Sequence, residues 1–515
     1  MHKTFLLIAA ALTAVTALRA QPVTPEHEAR ARELVGRMTL EEKIDYIGGY
    51  NTFFIRSVPR LGIPEIRMAD GPQGVRNDFS AQLVGRDKKS TLYPCGMAAA
   101  ATWDRELVRK MGSGIGQDAR ARGVHILLGP GVNIYRSPLC GRNFEYFGED
   151  PYLVSETTVS MVEGIQSQGA KHFAANNQEW DRYNVSSDVD ERTLHEIYLP
   201  SFEKAVGRAG IGALMCGYHL VNSVHSSEYG YLNVDVLRDR WGFKGILMSD
   251  WGGTYSTLGP VFNGLDIEMP GGGMMNRAKI MPLVENGVVD ESLIDTKVQH
   301  ILQSLLAFGF FDRPQKDERI SERNPYSDSV ALEVARAGVV LLKNDGLLPL
   351  AKGKVVVCGP NANTIVTGGG SGVVYPFESC SVAEGMRKMG RKYRSLYDTS
   401  GWKTDLSAFY ADEACTVPGA RVEYFNSKDL SGGAVHTAVV MRIDTEYPAS
   451  PVPGIVDDDY SDRYTFYYKP AADSYLYLSA GGDDGYRLLI DGEPVIDDWE
   501  NKAYRSKDIF RRFEA

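Results

Sequence analysis

A chain of 515 residues is too long for one ordinary core, which encloses roughly 100 to 200 residues, so two to four domains are expected. Lys and Arg number 56 and Asp and Glu 66, giving a net charge of −10, whereas nucleic acid is bound mainly through clustered Lys and Arg. With 43% hydrophobic and 24% charged residues the composition is that of a soluble globular protein, neither disordered nor membrane-embedded.

The chain opens on a targeting pattern: a basic start at Met1–Lys3, an apolar run at Thr4–Leu18, and a small-residue cleavage site at Arg19–Ala20. This predicts a signal peptide over 1–20 and a secreted or periplasmic protein. No Cys follows the site, which argues against a lipid anchor. From Val23 to Phe311, apolar runs (Gly123–Gly129, Ile211–Gly217, Gly245–Ser249, Gly264–Met269) alternate with helical patterns (Tyr152–Gln168, Glu191–Ala209, Val234–Trp241). Apolar runs without polar alternation, separated by helices, read as parallel strands covered on both faces. The spacing suits a β/α (TIM-like) barrel over 23–311. Nearly every run ends in a reactive or hydrogen-bonding side chain, and barrel enzymes place their chemistry at those strand ends.

The apolar pattern lapses at Asp312–Pro314, predicting a linker over 312–328. An α/β domain then begins over 329–416: an amphipathic helix at Val330–Ala337 leads to the apolar run Gly338–Asn344, and the Gly-Leu-Leu-Pro turn at 346–349 leads to a buried strand at Lys354–Gly359. From Val417 to Ala515 polar and aromatic residues alternate between Gly/Asp turns, predicting an antiparallel β-sandwich. Cys95, Cys140, Cys216, Cys358, Cys380 and Cys415 form no CxxC pair and have no His at zinc spacing, so they read as mostly buried thiols, and no metal site is expected.

Several short clusters carry candidate chemistry. Ser249-Asp250-Trp251 sets a carboxylate at the end of a buried strand beside a flat apolar ring, which fits sugar chemistry: Trp stacks on a pyranose while the carboxylate meets the anomeric carbon. Alone, such an Asp is more often a helix cap or an ion-pair partner. Lys171-His172-Phe173 offers adjacent donors for vicinal hydroxyls or an ordinary surface pair. Asp70-Gly71-Pro72 with Arg76 reads equally as a turn, and Arg142-Asn143-Phe144-Glu145 followed by Gly148-Glu149-Asp150-Pro151 as a capped helix start.

Taken together, Met-Ala-Asp-Gly-Pro, Gly-Arg-Asn-Phe-Glu with Gly-Glu-Asp-Pro, Lys-His-Phe with Asn-Asn-Gln-Glu, and Ser-Asp-Trp stand in the order and approximate spacing of glycoside hydrolase family 3. From about residue 25 to its last residue the chain resembles a secreted bacterial β-glucosidase of that family. The resemblance implies a cofactor-free, exo-acting, retaining mechanism with Asp250 as nucleophile. It also implies that Asp70 accepts hydrogen bonds from sugar hydroxyls and that Arg76, Arg142, Lys171, His172 and Arg182 donate around the ring. Tyr218 is placed near the nucleophile and Trp251 at the mouth, and Ser371 of the glycine-rich loop Gly368–Gly372 reaches the sugar from above. A phosphate-cradling reading of that loop is disfavoured, because no P-loop Lys follows. Residues 417–515, with Gly482–Arg487 and Val495–Trp499, resemble a protective-antigen-like β-sandwich inserted in the second domain of some members. Asp483 and Asp484 there read as a turn rather than a calcium site.

Two departures from the family's pattern bear on these expectations. The segment Gln166–Lys171 is shorter than in relatives, which have an apolar strand there, so Lys171 and His172 are expected to be displaced or the sequence to carry a deletion. Ile509–Ala515 ends within the sandwich module, and in relatives the acid/base Glu follows that module, so the acid is expected outside the given sequence. Removal of terminal β-linked glucose is the favoured reading. The rivals are a β-N-acetylglucosaminidase, disfavoured by Ala174–Glu179 where Gly-His-Gly would stand, a β-xylosidase, and a non-catalytic carbohydrate-binding fragment. A carbohydrate is the one expected partner, with neither nucleic acid nor membrane, and oligomeric state is left open.

Overall fold

The computed structural model describes residues 23–77, 88–165, 169–390 and 409–514, less 352, 354, 358, 442, 444–451, 457–458, 471–472, 483 and 501–504. The expected signal peptide, Gln166–Gln168, Cys358 and Asp483 lie outside the described residues. The chain divides into two compact units, 1–391 and 392–515.

The first unit contains the expected barrel. Strand β1 (Phe54–Ile55) pairs antiparallel with β2 (Ile66–Asp70), which runs parallel to β3 (Ile126–Leu128). Strands β4 (Gly169–Phe173), β5 (Ala213–Cys216) and β6 (Ile246–Met248) form a parallel sheet with β5 in the middle. Single parallel bridges close the circuit. Gly131 to Lys171 joins the two sheets, Met248 to Ile267 adds the 264–269 run, and Gly48 to Glu268 returns to the start, where Tyr50 bridges Phe54. Strands β3 to β6 are buried along their whole length, as expected where helices cover one face and barrel side chains fill the other.

The covering helices follow their sequence signals. Asp104 caps α1 (Arg105–Ala121) by accepting from Glu106 N and Leu107 N. Helix α2 (Pro151–Ile165) packs against it so closely that a Cβ on Gly164 would stand 2.2 Å from Arg109 O. The predicted 191–209 helix is interrupted: Pro200 has no N–H to donate, and the turn before it widens, with Leu199 N donating to Leu194 O at 3.0 Å.

The expected linker is not free. Gln315 Nε2 donates to Val124 O (2.7 Å), Asp317 N to Arg120 O (3.0 Å) and the barrel's Arg122 Nη2 to Glu322 O (2.7 Å), so side-chain and backbone groups of this stretch are bonded to the barrel. Helix α3 (Pro325–Ala337) then begins inside the expected linker, capped by Asn324. The run at 354–359, expected to form a buried strand, shows none among its described residues, where Val356 is 84% exposed; the apolar run at 338–344 before it is likewise outside any strand, with Val339 and Leu342 79% and 91% exposed. A parallel strand needs a hydrogen-bonding neighbour, and among the described residues none lies beside them. Nearby, Tyr375–Pro376 pairs in parallel with Lys89–Ser90, tying the chain after the glycine-rich loop to the barrel. Of the described cysteines Cys140 and Cys216 are buried but Cys380 is exposed, so thiol burial is less general than composition suggests.

The second unit is antiparallel. Ala420–Phe425 is flanked by His436–Val440 and Ser461–Thr465, and Ser474–Gly482 pairs with Arg505–Phe513 and Tyr486–Ile490 with Glu493–Asp498. Along Ala420–Phe425 the alternate residues Ala420, Val422 and Tyr424 are buried, and Ile455 packs with Val422 and Tyr424. This unit takes in Phe409–Tyr410, ahead of the compositional change at Val417, because that strand pairs with Tyr467–Tyr468.

Candidate active site

The residues singled out in the sequence converge at the carboxyl ends of the barrel strands. Asp70 is the last residue of β2, Lys171 and His172 lie in β4, Tyr218 follows β5 and Asp250 follows β6. Neighbouring residues of a regular strand face opposite ways. In β4 the register with β5 slips between Lys171 and Phe173, and this irregularity lets both Lys171 and His172 face the site. The expected displacement of Lys171 and His172 is therefore not observed: Gly169–Phe173 itself forms the strand, buried throughout.

A buried ion network organises the site. Lys171 Nζ lies 3.4 Å from Asp70 Oδ1 and 3.3 Å from Glu145 Oε2. Arg142 Nε donates to Glu145 Oε1, and Arg76 Nη1 lies 3.4 Å from Asp70 Oδ2. Arg182 Nη1 donates to Glu179 Oε2 at 3.2 Å, with its guanidinium 4.3 Å from the Tyr218 ring centre. The cations Arg76, Arg142, Lys171 and Arg182 are thus matched by Asp70, Glu145, Glu179 and Asp250, a balance that makes burial of so many charges tolerable. Burial pushes Glu145 upward, but Arg142 and Lys171 outweigh it and hold the carboxyl below the usual range. At Asp70 burial prevails over Lys171 and Arg76, and the carboxyl sits above its usual range.

His172 is fully buried and neutral, since burial, then Arg142 and Lys171, depress its basicity well below the ordinary value. Its Nε2 lies 2.8 Å from Arg142 Nη2. A guanidinium only donates, so Nε2 accepts and Nδ1 carries the proton, facing Tyr146 Oη at 3.1 Å. The 3.5 Å approach of Nε2 to Asp250 Oδ2 is consequently not an ion pair. Asn133 fixes the His172 backbone, accepting from its N–H (2.7 Å) and donating to its carbonyl (2.9 Å).

Asp250 is 6% exposed. Its Oδ1 accepts from Trp251 N at 2.8 Å, while Oδ2 is buried without a hydrogen-bond partner. Burial, followed by the Asp250 charge, keeps the Tyr218 hydroxyl protonated far above its usual range. Trp251 donates Nε1–H to Thr52 O (2.8 Å) and packs on Phe53 with ring centres 4.9 Å apart, fixing a half-buried ring beside the carboxylate. Ser371 Oγ donates to Glu145 Oε2 at 3.2 Å, and Arg76 Nη1 to Gly370 O at 2.8 Å, so the glycine-rich loop meets the barrel network directly.

Sequence reasoning missed the acceptors that hold the donors: Glu145, Glu179, Asn133 and Tyr146. For Glu145 a signal existed, its place three residues after Arg142 within the same motif. Asn133 lies outside every cluster, and nothing local marked it. Among the described residues no group of His, Cys, Asp and Glu could hold a metal ion, and no helix is long and apolar enough to cross a membrane.

Comparison with known proteins agrees with this geometry. Residues 56–304 match the glycosyl hydrolase family 3 N-terminal domain and residues 339–499 the glycosyl hydrolase family 3 C-terminal domain. The chain is 37% identical over 477 residues to a β-glucosidase of Rhizobium radiobacter, covering 91% of this chain and 57% of that one. Among solved structures, β-glucosidase 3B of Thermotoga neapolitana in complex with α-D-glucose is similar with a TM-score of 0.63 and 34% identity, over 70% of this chain and 54% of that one. A β-glucosidase from Kluyveromyces marxianus has a TM-score of 0.68 at 28% identity, over 94% of this chain and 62% of that one. The chain thus spans somewhat over half the length of these relatives. With both of its domain models matched and its motif residues gathered at the carboxyl ends of the barrel strands, the chain belongs to glycosyl hydrolase family 3.

Proposed function

We propose that the protein is a retaining, exo-acting β-glucosidase that releases terminal β-D-glucose from glucose-containing carbohydrates. The observation that carries this reading is Asp250, a buried carboxylate at a barrel strand end whose Oδ2 has no hydrogen-bond partner, surrounded by a charge-balanced ring of donors and acceptors. Oδ2 attacks the anomeric carbon as the bond to the leaving oxygen breaks, giving a glycosyl ester that water resolves. A neutral polyol needs both donors and acceptors around it. Asp70 and Glu145 accept, while Lys171, Arg142, Arg76, Arg182 and Ser371 donate, and contacts that tighten as the ring flattens towards an oxocarbenium ion favour the transition state. His172, neutral and oriented by Arg142 and Tyr146, presents an imidazole edge to the sugar. Trp251 forms the platform on the leaving-group side. Glu145 and Glu179 are held in ion pairs and neither is assigned as the acid that protonates the leaving oxygen.

The identities reported for relatives support glucose over xylose, because the proteins named above are β-glucosidases. Residues 417–515 are proposed to be a protective-antigen-like sandwich module that contacts carbohydrate, on the strength of their antiparallel pairing and buried alternation. The basic and apolar pattern of 1–20 supports secretion.

Incubation with a 2-fluoro β-glucoside bearing a good leaving group, followed by peptide mapping, tests the central assignment, since this reagent needs little acid assistance. Added mass on Asp250, absent in Asp250→Asn, is the expected result. A folded protein that acquires no label, or acquires it elsewhere, refutes the nucleophile assignment.

A further inference from the structure

The glycine-rich loop carries Ser371 to the site, yet its own short helical turn, Gly370–Gly372, has no side-chain anchor of its own at the cap. What holds it belongs to the barrel. Gln73 is 6% exposed, three residues beyond Asp70, and its Oε1 accepts the N–H of Gly368 at 3.1 Å. Its backbone carbonyl accepts from Tyr93 N at 2.9 Å, anchoring Gln73 just after the segment Lys89–Ser90 that pairs with Tyr375–Pro376.

Phe144 completes the dock. A Cβ on Gly368 would stand 2.1 Å from the Phe144 ring, and one on Gly372 would stand 2.6 Å from that ring and 2.9 Å from Gln73 Oε1. Glycine is therefore required at both positions for close approach rather than for chain freedom alone. The loop is clamped by one amide acceptor and one aromatic face, each within three residues of the sugar network: Gln73 lies between Asp70 and Arg76, and Phe144 between Arg142 and Glu145.

We infer that Gln73 is a positioning residue for the glycosidase reaction: through its bond to Gly368 N–H, and with Phe144 beneath the loop, it sets the height of Ser371 over the sugar in the pocket. Gln73 makes no sugar contact in this assignment. Its effect travels through the loop to Ser371 Oγ and to Gly370 O, which accepts from Arg76 Nη1, the same nitrogen that faces Asp70 Oδ2. The inference rests on the proposed glucosidase reading of the same site.

The test compares the parent chain with Gln73→Leu, which keeps the shape and removes the acceptor, Gln73→Glu, which keeps an acceptor oxygen, and Gly372→Ala, which presses a methyl group into the dock. Two quantities are read on each: amide hydrogen exchange of the peptide spanning Gly368–Gly372, and saturation kinetics of inactivation by the 2-fluoro β-glucoside. Loss of one buried hydrogen bond is expected to speed exchange of the loop and to raise the half-saturation concentration by about tenfold each in Gln73→Leu and Gly372→Ala, with the limiting inactivation rate changed by less than about threefold. Gln73→Glu brings both quantities back towards the parent. A merely structural role would lower the melting temperature and leave the half-saturation concentration alone. Unchanged loop exchange in Gln73→Leu overturns the dock, and faster exchange with an unchanged half-saturation concentration overturns its link to the sugar. If the parent itself is not labelled, the glucosidase reading fails, whereas a labelled parent matched by Gln73→Leu in both readouts overturns this inference alone.

Discussion

Replacing Glu145 with Gln perturbs the charge balance at its most buried point. The side chain is fully buried and divides its oxygens between Arg142 Nε and Lys171 Nζ, the latter at 3.3 Å. At an effective dielectric constant of about 20, one unit pair at that distance interacts by about 5 kcal/mol before desolvation is counted. Removing one partner of a buried pair typically costs about 3 kcal/mol or more, because the remaining cation is left uncompensated. For a unit of roughly 350 described residues the unfolding entropy is about 0.7 kcal/mol per kelvin, so about 3 kcal/mol lowers the melting midpoint by about 4 °C. The assay is differential scanning calorimetry of the parent, Glu145→Gln, Lys171→Met and the double variant at pH 7. The single variants should each melt lower, and the double variant should recover part of the loss, since it restores neutrality. Glu145 is held below the ordinary carboxylate range, so its stabilising effect is present above pH about 4.5 and fades as the pH falls through its depressed value. Midpoints unchanged in Glu145→Gln, or strictly additive losses in the double variant, would refute the reasoning.

Three further outcomes follow from other parts of the molecule. Asp118 is buried, with Ser327 Oγ at 2.9 Å and Tyr93 Oη at 3.4 Å, and burial raises its carboxyl to about 7. The folded state thus binds a proton that the unfolded state, near 3.8, has released, so stability falls as pH rises between those values; in melts from pH 4.5 to 8, Asp118→Asn should show a shallower decline than the parent, and an identical slope sinks the assignment. Gly164→Ala should destabilise the α1–α2 contact by about 2 to 3 kcal/mol, because the added Cβ meets Arg109 O at 2.2 Å and backbone must move; an unchanged thermal midpoint would contradict it. Trp251→Ala should raise the half-saturation concentration for the fluoroglucoside about tenfold while Trp251→Phe raises it less, as expected of a stacking platform, and equal effects would point to the Nε1–Thr52 bond instead.

The alternating apolar runs and helices were enough to predict the barrel, because parallel strands covered on both faces must be apolar throughout. The same criterion misled at Lys354–Gly359, where apolar composition is present but no described strand lies alongside to pair with it. Composition signals a strand's burial; pairing needs a neighbour that composition does not name. Likewise the polar stretch after Asp312 read as a linker, although the Gln315 side chain donates to barrel backbone and the Asp317 carboxylate pairs with the barrel's Arg120.

For the site, short motifs made Asp70, Arg76, Arg142, Lys171, His172, Asp250, Trp251 and Ser371 legible as candidates, Arg182 and Tyr218 were implied by the family resemblance alone, and the fold draws all of them to the carboxyl ends of the strands and the loop above them. What tertiary structure alone decided is how their charges are satisfied. The proton on His172 Nδ1 is set by Arg142, which lies 30 residues away in sequence. Glu145 meets Ser371 across 226 residues, and Gly368 meets Gln73 across 295. A buried polar group is stable only when its partner is within about 3 Å, and partners that distant along the chain are chosen by closure of the barrel rather than by any local pattern.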